Sequence, residues 1–338
     1  MKRQRIWIRK KLCMQPLARG EKMKKNVLKN ADIIRQGTLI IVLVLEMILF
    51  TALSDSFLTG SNLVNVLRQT SVTAISAVGM FMIILLGDID LSVGSVYALI
   101  GVLCAYVFQG TESAVITVIA ALALGTFIGF ASGFVTAKGK IPAFVTTLSV
   151  MSICRGVAYI LTDGTPIGIV NPKFTYLGAG YLFGRIPVPV VLMIVVFAIG
   201  FFLTGFTRFG RYIYASGGNE QASRWSGIKT DRIRIAVFTI SGCFVGLSSL
   251  ILAGRLGGGL PGTGNGSELD VITTVILGGT SLNGGKGKLW GVITGVFVIG
   301  VLTNGLTMMN LSTYWQQVVK GIIILIAVLF DMKAAKEE

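Results

Sequence analysis

The sequence predicts an all-α, polytopic membrane protein with about ten transmembrane helices, discontinuous ones among them, and a short cytoplasmic helix. Three observations predict it. Of 338 residues, 53% are hydrophobic and only 13% charged, where a soluble domain carries about a quarter charged. Apolar stretches of about 18 to 25 residues recur between short polar links, each long enough to cross a hydrocarbon core. The formal charge of +15 is sorted by side of the membrane rather than strung along one groove, which argues against a nucleic-acid partner.

Taken in order, the chain opens with a basic segment, 1–36, holding twelve Lys and Arg against Glu21 and Asp32. It lacks the apolar core and small-x-small cleavage site of a signal peptide, and reads as a tail lying at an anionic leaflet. Met23, in MKKNVLKN, is the expected natural start. The transmembrane domain follows over 37–330, and 331–338 is a short tail. The predicted crossings are 37–54, 63–86, 93–110, 113–136, 142–161, 187–205, 235–254, 269–282, 289–308 and 313–330. The eighth is short, so a discontinuous helix is expected there.

Charge tests this layout. With the N-terminus inside, the inner segments 1–36, 87–92, 137–141, 206–234, 283–288 and 331–338 hold 12, 0, 2, 6, 2 and 2 Lys or Arg. The outer links hold only Lys173, Arg185 and Arg255, while Arg68, Arg155 and Lys320 fall within spans. Both termini are therefore expected in the cytoplasm. An internal repeat is also visible: ILLGDIDLSVGSVYALIGV at 84–102 parallels VILGGTSLNGGKGKLWGVITGV at 275–296. Each copy has an apolar run, a Gly-rich elbow and a Gly-spaced helix, an arrangement that in transporters marks the route of the solute.

The elbow GDIDLSVGS carries Asp88 and Asp90. Paired carboxylates serve hydrolysis when a positioned water accompanies them, but the chain has no histidine and shows no nucleophile motif. A structural reading fits better: Asp90 and Ser92 are good N-cap residues, and Gly87 and Gly94 permit a tight elbow or close helix contact. The matching glycines of the second elbow are Gly278, Gly279, Gly284 and Gly285, with Lys286 and Lys288 as inside-facing anchors. The cysteines, Cys13, Cys104, Cys154 and Cys243, lack paired spacing, so neither disulfides nor a metal site is expected. Asn304, Gln316 and Gln317 are neutral polar groups suited to a translocation path or to interhelical hydrogen bonds. Glu46, Arg155 and Lys320, each costly in a bilayer unless paired, are expected to snorkel or to pair between helices.

The longest inner loop after the tail is 206–234. Within it Asn219 begins a helix, Glu220 sits in its first turn and Gly227 stops it, giving about two turns over 219–226. Such a helix is unstable alone, so it either packs on its own protein or enters a partner's groove.

The stretch GRYIYASGGNEQASRWSGI at 210–228 resembles the coupling segment of ribose-type sugar permeases of ATP-binding-cassette (ABC) importers, a binding-protein-dependent inner-membrane family. Ser223 and Trp225 stand where that pattern carries alanine and leucine. GDIDLSVGS is similar to the family's GGIDLSVGS, with Asp88 in place of the commoner glycine. Residues 125–156, 268–291 and 304–321 follow the family pattern in the same order.

The resemblance implies an inner-membrane permease subunit for a monosaccharide of the ribose kind. It also implies three partners: a cytoplasmic ATPase with two fused cassettes, an extracytoplasmic sugar-binding protein and a second permease copy or paralogue. No cofactor is expected on this chain, since no G-x-x-x-x-G-K-[ST] loop is present and ATP would be used by the partner. GGKGK at 284–288 has the wrong spacing for such a loop. Asn219, Glu220, Ala222, Arg224, Trp225 and Gly227 become the expected ATPase-coupling residues, with Glu220 and Arg224 as contacts that change between states. Asp88 is a candidate for sensing that ATPase. Two other readings stay open on the residues: a related permease for branched-chain amino acids or another small solute, and an ATP-independent secondary transporter. A membrane enzyme is the most distant.

Overall fold

The computed structural model describes residues 37–336; the basic tail and the Met23 start lie outside them. Ten long or apolar helices follow the predicted spans closely. They are α1 (Gly37–Leu53), α2 (Gly60–Leu85), α3 (Val93–Thr111), α4 (Ala114–Gly139), α5 (Ala143–Thr162), α7 (Val188–Phe201), α10 (Thr230–Leu256), α11 (Ser267–Leu277), α12 (Leu289–Met308) and α13 (Thr313–Lys336). Among the described residues, seven are long and apolar enough to cross a membrane: α2, α3, α4, α5, α10, α12 and α7 with its π-helical extension to Phe206. The shortness expected of the eighth crossing is realised in α11, with 11 residues. The predicted tail at 331–338 is helical through Lys336.

Local chemistry sets the boundaries. Thr59 and Ser113 cap α2 and α4 by accepting from the amides of Asn62 and Ile116, as short hydroxyl side chains do at helix starts. Between α5 and α7 lies a surface element: β1 (Ile167–Gly168), α6 (Pro172–Ala179), β2 (Tyr181–Leu182) and β3 (Ile186–Pro187). Asn171 caps α6 and Pro172 occupies its first turn, where the missing N–H costs nothing. The pairing is antiparallel, β2 with β3 and β1 with β4 (Gly258–Gly259).

Helices α2 and α3 form the buried centre, with Ile75, Val78, Phe81, Ile84, Ile100 and Cys104 among the sealed side chains. Helix α10 packs beside them and along α4. At the α4–α10 crossing Gly125 and Gly129 face Gly242 and Gly246, and a Cβ on any of them would overlap a carbonyl oxygen of the facing helix. Small residues let membrane helices approach this closely, since apolar side chains gain nothing by leaving lipid for each other. A smaller cluster joins α1 to α2 and α12 through Phe50, Phe57, Val66 and Leu306.

The 206–234 loop holds two helices where one was predicted. Besides α9 (Glu220–Trp225) there is α8 (Arg208–Gly218). Thr207 starts α8 by accepting from the Gly210 amide. Glycine weakens helices, yet Gly217 and Gly218 form the last two positions of α8. The structure gives the reason for Gly217: a Cβ there would overlap the Leu85 carbonyl oxygen.

Candidate functional site

Helix α9 is built as the sequence predicts. The Asn219 Oδ1 accepts from the Ala222 amide at 2.8 Å, and Gly227 takes φ +85° while the Ile228 amide returns to the Ser223 carbonyl at 3.0 Å. This is a capped start and a left-handed stop. Ser223 faces inward and is buried. Gln221, Ala222, Arg224 and Trp225 face outward, with Trp225 80% exposed.

Two ion-pair chains brace the helix. Arg224 Nη2 donates to Glu220 Oε1 at 2.8 Å and to Asp231 Oδ1 at 2.7 Å, and Lys138 of α4 lies 3.7 Å from Asp231. Arg234, on α10, bridges the other way: Nη2 to Glu220 Oε2 at 3.3 Å and Nε to Asp88 Oδ2 at 2.6 Å. Asp88 thus joins the elbow after α2 to the base of α9. An open cleft of about 520 Å³ lies beside this junction, lined by Asp88, Lys140, Glu220 and Arg234 among others. Burial works against the Glu220 charge, but Arg224 and Arg234 outweigh it and hold its carboxyl below the usual range. Burial pushes Asp88 up, and Arg234 only partly offsets it. The Glu220 carboxylate in turn raises the Arg224 guanidinium.

The two predicted elbows share one backbone device. After α2 the Asp88 amide reaches back to the Ile83 carbonyl at 3.2 Å with Gly87 at φ +80°; after α11 the Thr280 amide reaches the Val275 carbonyl at 3.2 Å with Gly279 at φ +94°. Gly279 rather than Gly278 is therefore the counterpart of Gly87, one residue from the sequence match. The elbows also meet. The Gly285 amide donates to the Leu85 carbonyl at 2.8 Å, Gly284 packs on Gly87 and Gly217, and Tyr214 Oη of α8 donates to the Gly287 carbonyl at 2.9 Å.

Asp90 pins the first elbow: its Oδ1 accepts from both the amide and the hydroxyl of Ser92, at 2.8 and 2.6 Å. Ser92 occupies the N-cap position but caps nothing with its side chain, a correction that follows from its hydroxyl being held by Asp90. Gly94 is there for space, since a Cβ would overlap the Gly264 carbonyl and the Glu268 carboxylate.

The other polar residues divide. Asn304 is buried in a reciprocal amide pair with Asn62, at 2.9 and 3.0 Å. Gln316 donates to Thr307 Oγ1 and the Leu311 carbonyl, stitching α12 to α13. Gln317 remains exposed beside Gly266. Lys320 pairs with Asp270 at 2.8 Å, and Arg155 donates to the carbonyls of Pro261 and Thr263. The sequence reading passed over Asn62, Asp231, Arg234, Glu268 and Asp270. Of these only Asp231 and Arg234 carried a signal, as charges just past the α9 stop; Asn62 and Asp270 act through partners distant in the chain, while Glu268 accepts from its own and the Gly266 backbone amides.

The family model for "Branched-chain amino acid transport system / permease component" matches residues 62–328. The ribose import permease protein of Escherichia coli K12 is 45% identical over 310 residues, covering 90% of this chain and 95% of that protein. The ribose import permease protein of Bacillus subtilis 168 is 42% identical over 288 residues, 85% and 89% of the two chains. The xylose transport system permease protein of E. coli K12 is 35% identical over 356 residues, 87% and 90%. No solved structure matches. With a matching model across most of its length and relatives aligned nearly end to end, the chain belongs to the permease-component family of ABC importers.

Proposed function

We propose that the chain imports a monosaccharide of the ribose or xylose kind across the bacterial inner membrane, powered by ATPase subunits that grip α9. The carrying observation is the braced helix itself: a two-turn element with Trp225 exposed on one side and Glu220 tied through Arg234 to Asp88 on the other. A groove that takes Trp225 and Ala222 displaces a rigid lever, and Arg224, linked to both Glu220 and Asp231, is the contact that changes between states. The relatives named for ribose and xylose support the solute class.

In this reading both termini are cytoplasmic, and a second permease copy or paralogue and an extracytoplasmic sugar-binding protein complete the assembly. The ATPase carries two fused cassettes, and ATP is bound by it and not by this chain. Reconstitution with ATPase and binding protein should give ATP-dependent accumulation of D-ribose, whereas the permease alone should accumulate none. Concentrative uptake by the permease alone would overturn the reading. The family description also names branched-chain amino acids, and ATP-dependent uptake of L-leucine in place of D-ribose would move the assignment there.

A further inference from the structure

We propose that the solute path runs along a polar face made by one side of α5, the unwound segment 257–266 and the start of α13, and that this face takes a neutral, polyhydroxylated solute. The proposal rests on the transport reading above and names residues that reading does not supply. Two of the amides expected in the path, Asn304 and Gln316, are committed to interhelical hydrogen bonds.

Backbone comes first. Between α10 and α11 the chain runs GGGLPGTGNG, with left-handed glycines at 257, 264 and 266. It does not stay at the surface: Gly259 packs on Gly101 and Val102 in the body of α3, and Gly264 packs on Gly94 in its first turn. Helix α11 starts there, which is why it has only 11 residues. Non-helical backbone at membrane depth is stable only where protein buries it or where it lines water. Arg155 supplies part of the burial by donating to two of its carbonyls at 2.7 and 2.8 Å. Gly262 and Asn265 nevertheless remain exposed.

One stripe of the neighbouring surface has the wrong composition for lipid, beside exposed Ile153 and Ile160 on the flank of α5. On α5, Ser149, Ser152, Gly156 and Tyr159 fall on one face at helical spacing, and all are exposed. Across the segment stand half-buried Glu268 and exposed Gln317. Lys320 pairs with Asp270, whose second oxygen is buried without a hydrogen bond. The outer face of α4 shows the contrast: Val115, Ile119 and Phe127 are 69%, 60% and 67% exposed, as a lipid contact should be. Polar and ionisable side chains within a membrane face a bundle interior or a water-filled cavity.

The chemistry selects the solute. Both cations of this face are committed, Arg155 to carbonyls and Lys320 to Asp270, so no free cation waits for a carboxylate. The Ser149 and Ser152 hydroxyls donate to the carbonyls of Val145 and Leu148 and keep acceptor capacity outward. Glu268 accepts, while Asn265 and Gln317 do both. Alternating acceptors and donors match vicinal hydroxyls.

The test places single cysteines at Ser152, Asn265 and Gln317, and at Ile119 and Phe127 as lipid-facing controls, in a chain with its four native cysteines replaced. Membrane vesicles holding the whole transporter are treated with a charged maleimide. Because the thiolate reacts and apolar surroundings suppress it, S152C, N265C and Q317C should label at least about ten-fold faster than I119C and F127C. Labelled N265C should lose D-ribose uptake while labelled F127C keeps it. Equal labelling rates would overturn the proposal, as would S152C disulfides between copies without labelling, which mark a dry seam. Glu268→Ala should cut D-ribose uptake about ten-fold at unchanged membrane abundance; full uptake would remove Glu268 from the path. Labelling is read on the permease itself, so it stands apart from the ABC reading, whose failure would show as no ATP-dependent uptake by the unlabelled parent.

Discussion

The elbows at 86–92 and 278–288 both follow a helix whose end is closed by a left-handed glycine, Gly87 in one and Gly279 in the other, yet they are secured differently. The first is held by side chains: Asp88 to Arg234, Asp90 to Ser92, and the Thr147 hydroxyl of α5 to the Ile89 carbonyl. In the second, backbone is fitted to backbone, with Gly284 and Gly285 against Gly87, Gly217 and Gly218, and the Tyr214 hydroxyl donates to the Gly287 carbonyl. Charged side chains can respond to a change in a neighbouring element, whereas close-packed backbone transmits a displacement without a choice of partners. The first elbow is thus tied by partners that can be exchanged, and the second by backbone contact that cannot.

The largest effect should come from breaking the seam that both elbows share. Gly217→Val drives a branched side chain into the Leu85 carbonyl and Gly285, and should cost about 3 kcal/mol or more; a sharp loss of monodisperse protein on detergent extraction checks it. Next, Arg234→Ala leaves Asp88 with no cation and should cost about 3 kcal/mol, while Asp88→Gly, which removes the buried charge along with its partner contact, should cost less. Both should lower sugar moved per ATP hydrolysed, and an unchanged ratio would separate the first elbow from the lever. The smallest effect sharpens the likeness: Gly87→Ala and Gly279→Ala each force a Cβ into a left-handed conformation, for about 1–2 kcal/mol apiece, read as similar losses in Tm.

Much of this architecture was legible because membrane crossing imposes length and apolarity on consecutive residues. The spans, the short eighth helix and the α9 cap and stop all depend on neighbours in sequence. Helix α8 was not legible, since Gly217 and Gly218 speak against a helix locally and are explained only by Leu85 and Gly285. The Asp88–Arg234 pair spans 146 positions and the Asn62–Asn304 pair 242; nothing near any of these residues announces its partner. Arg155 could be noticed as an ion in an apolar span, but its use, tying down the Gly-rich segment, requires the fold.

The glycine crossing of α4 and α10 bears on how a push at α9 spreads. With Gly125 and Gly129 seated against Gly242 and Gly246, no side chain separates the two rods at that crossing, although Phe238 of α10 meets Gly133 of α4 one turn on. Helix α10 begins five residues after α9 ends, so on the proposed coupling a tilt delivered there would swing both rods as one plank, a broad paddle instead of a single turning shaft.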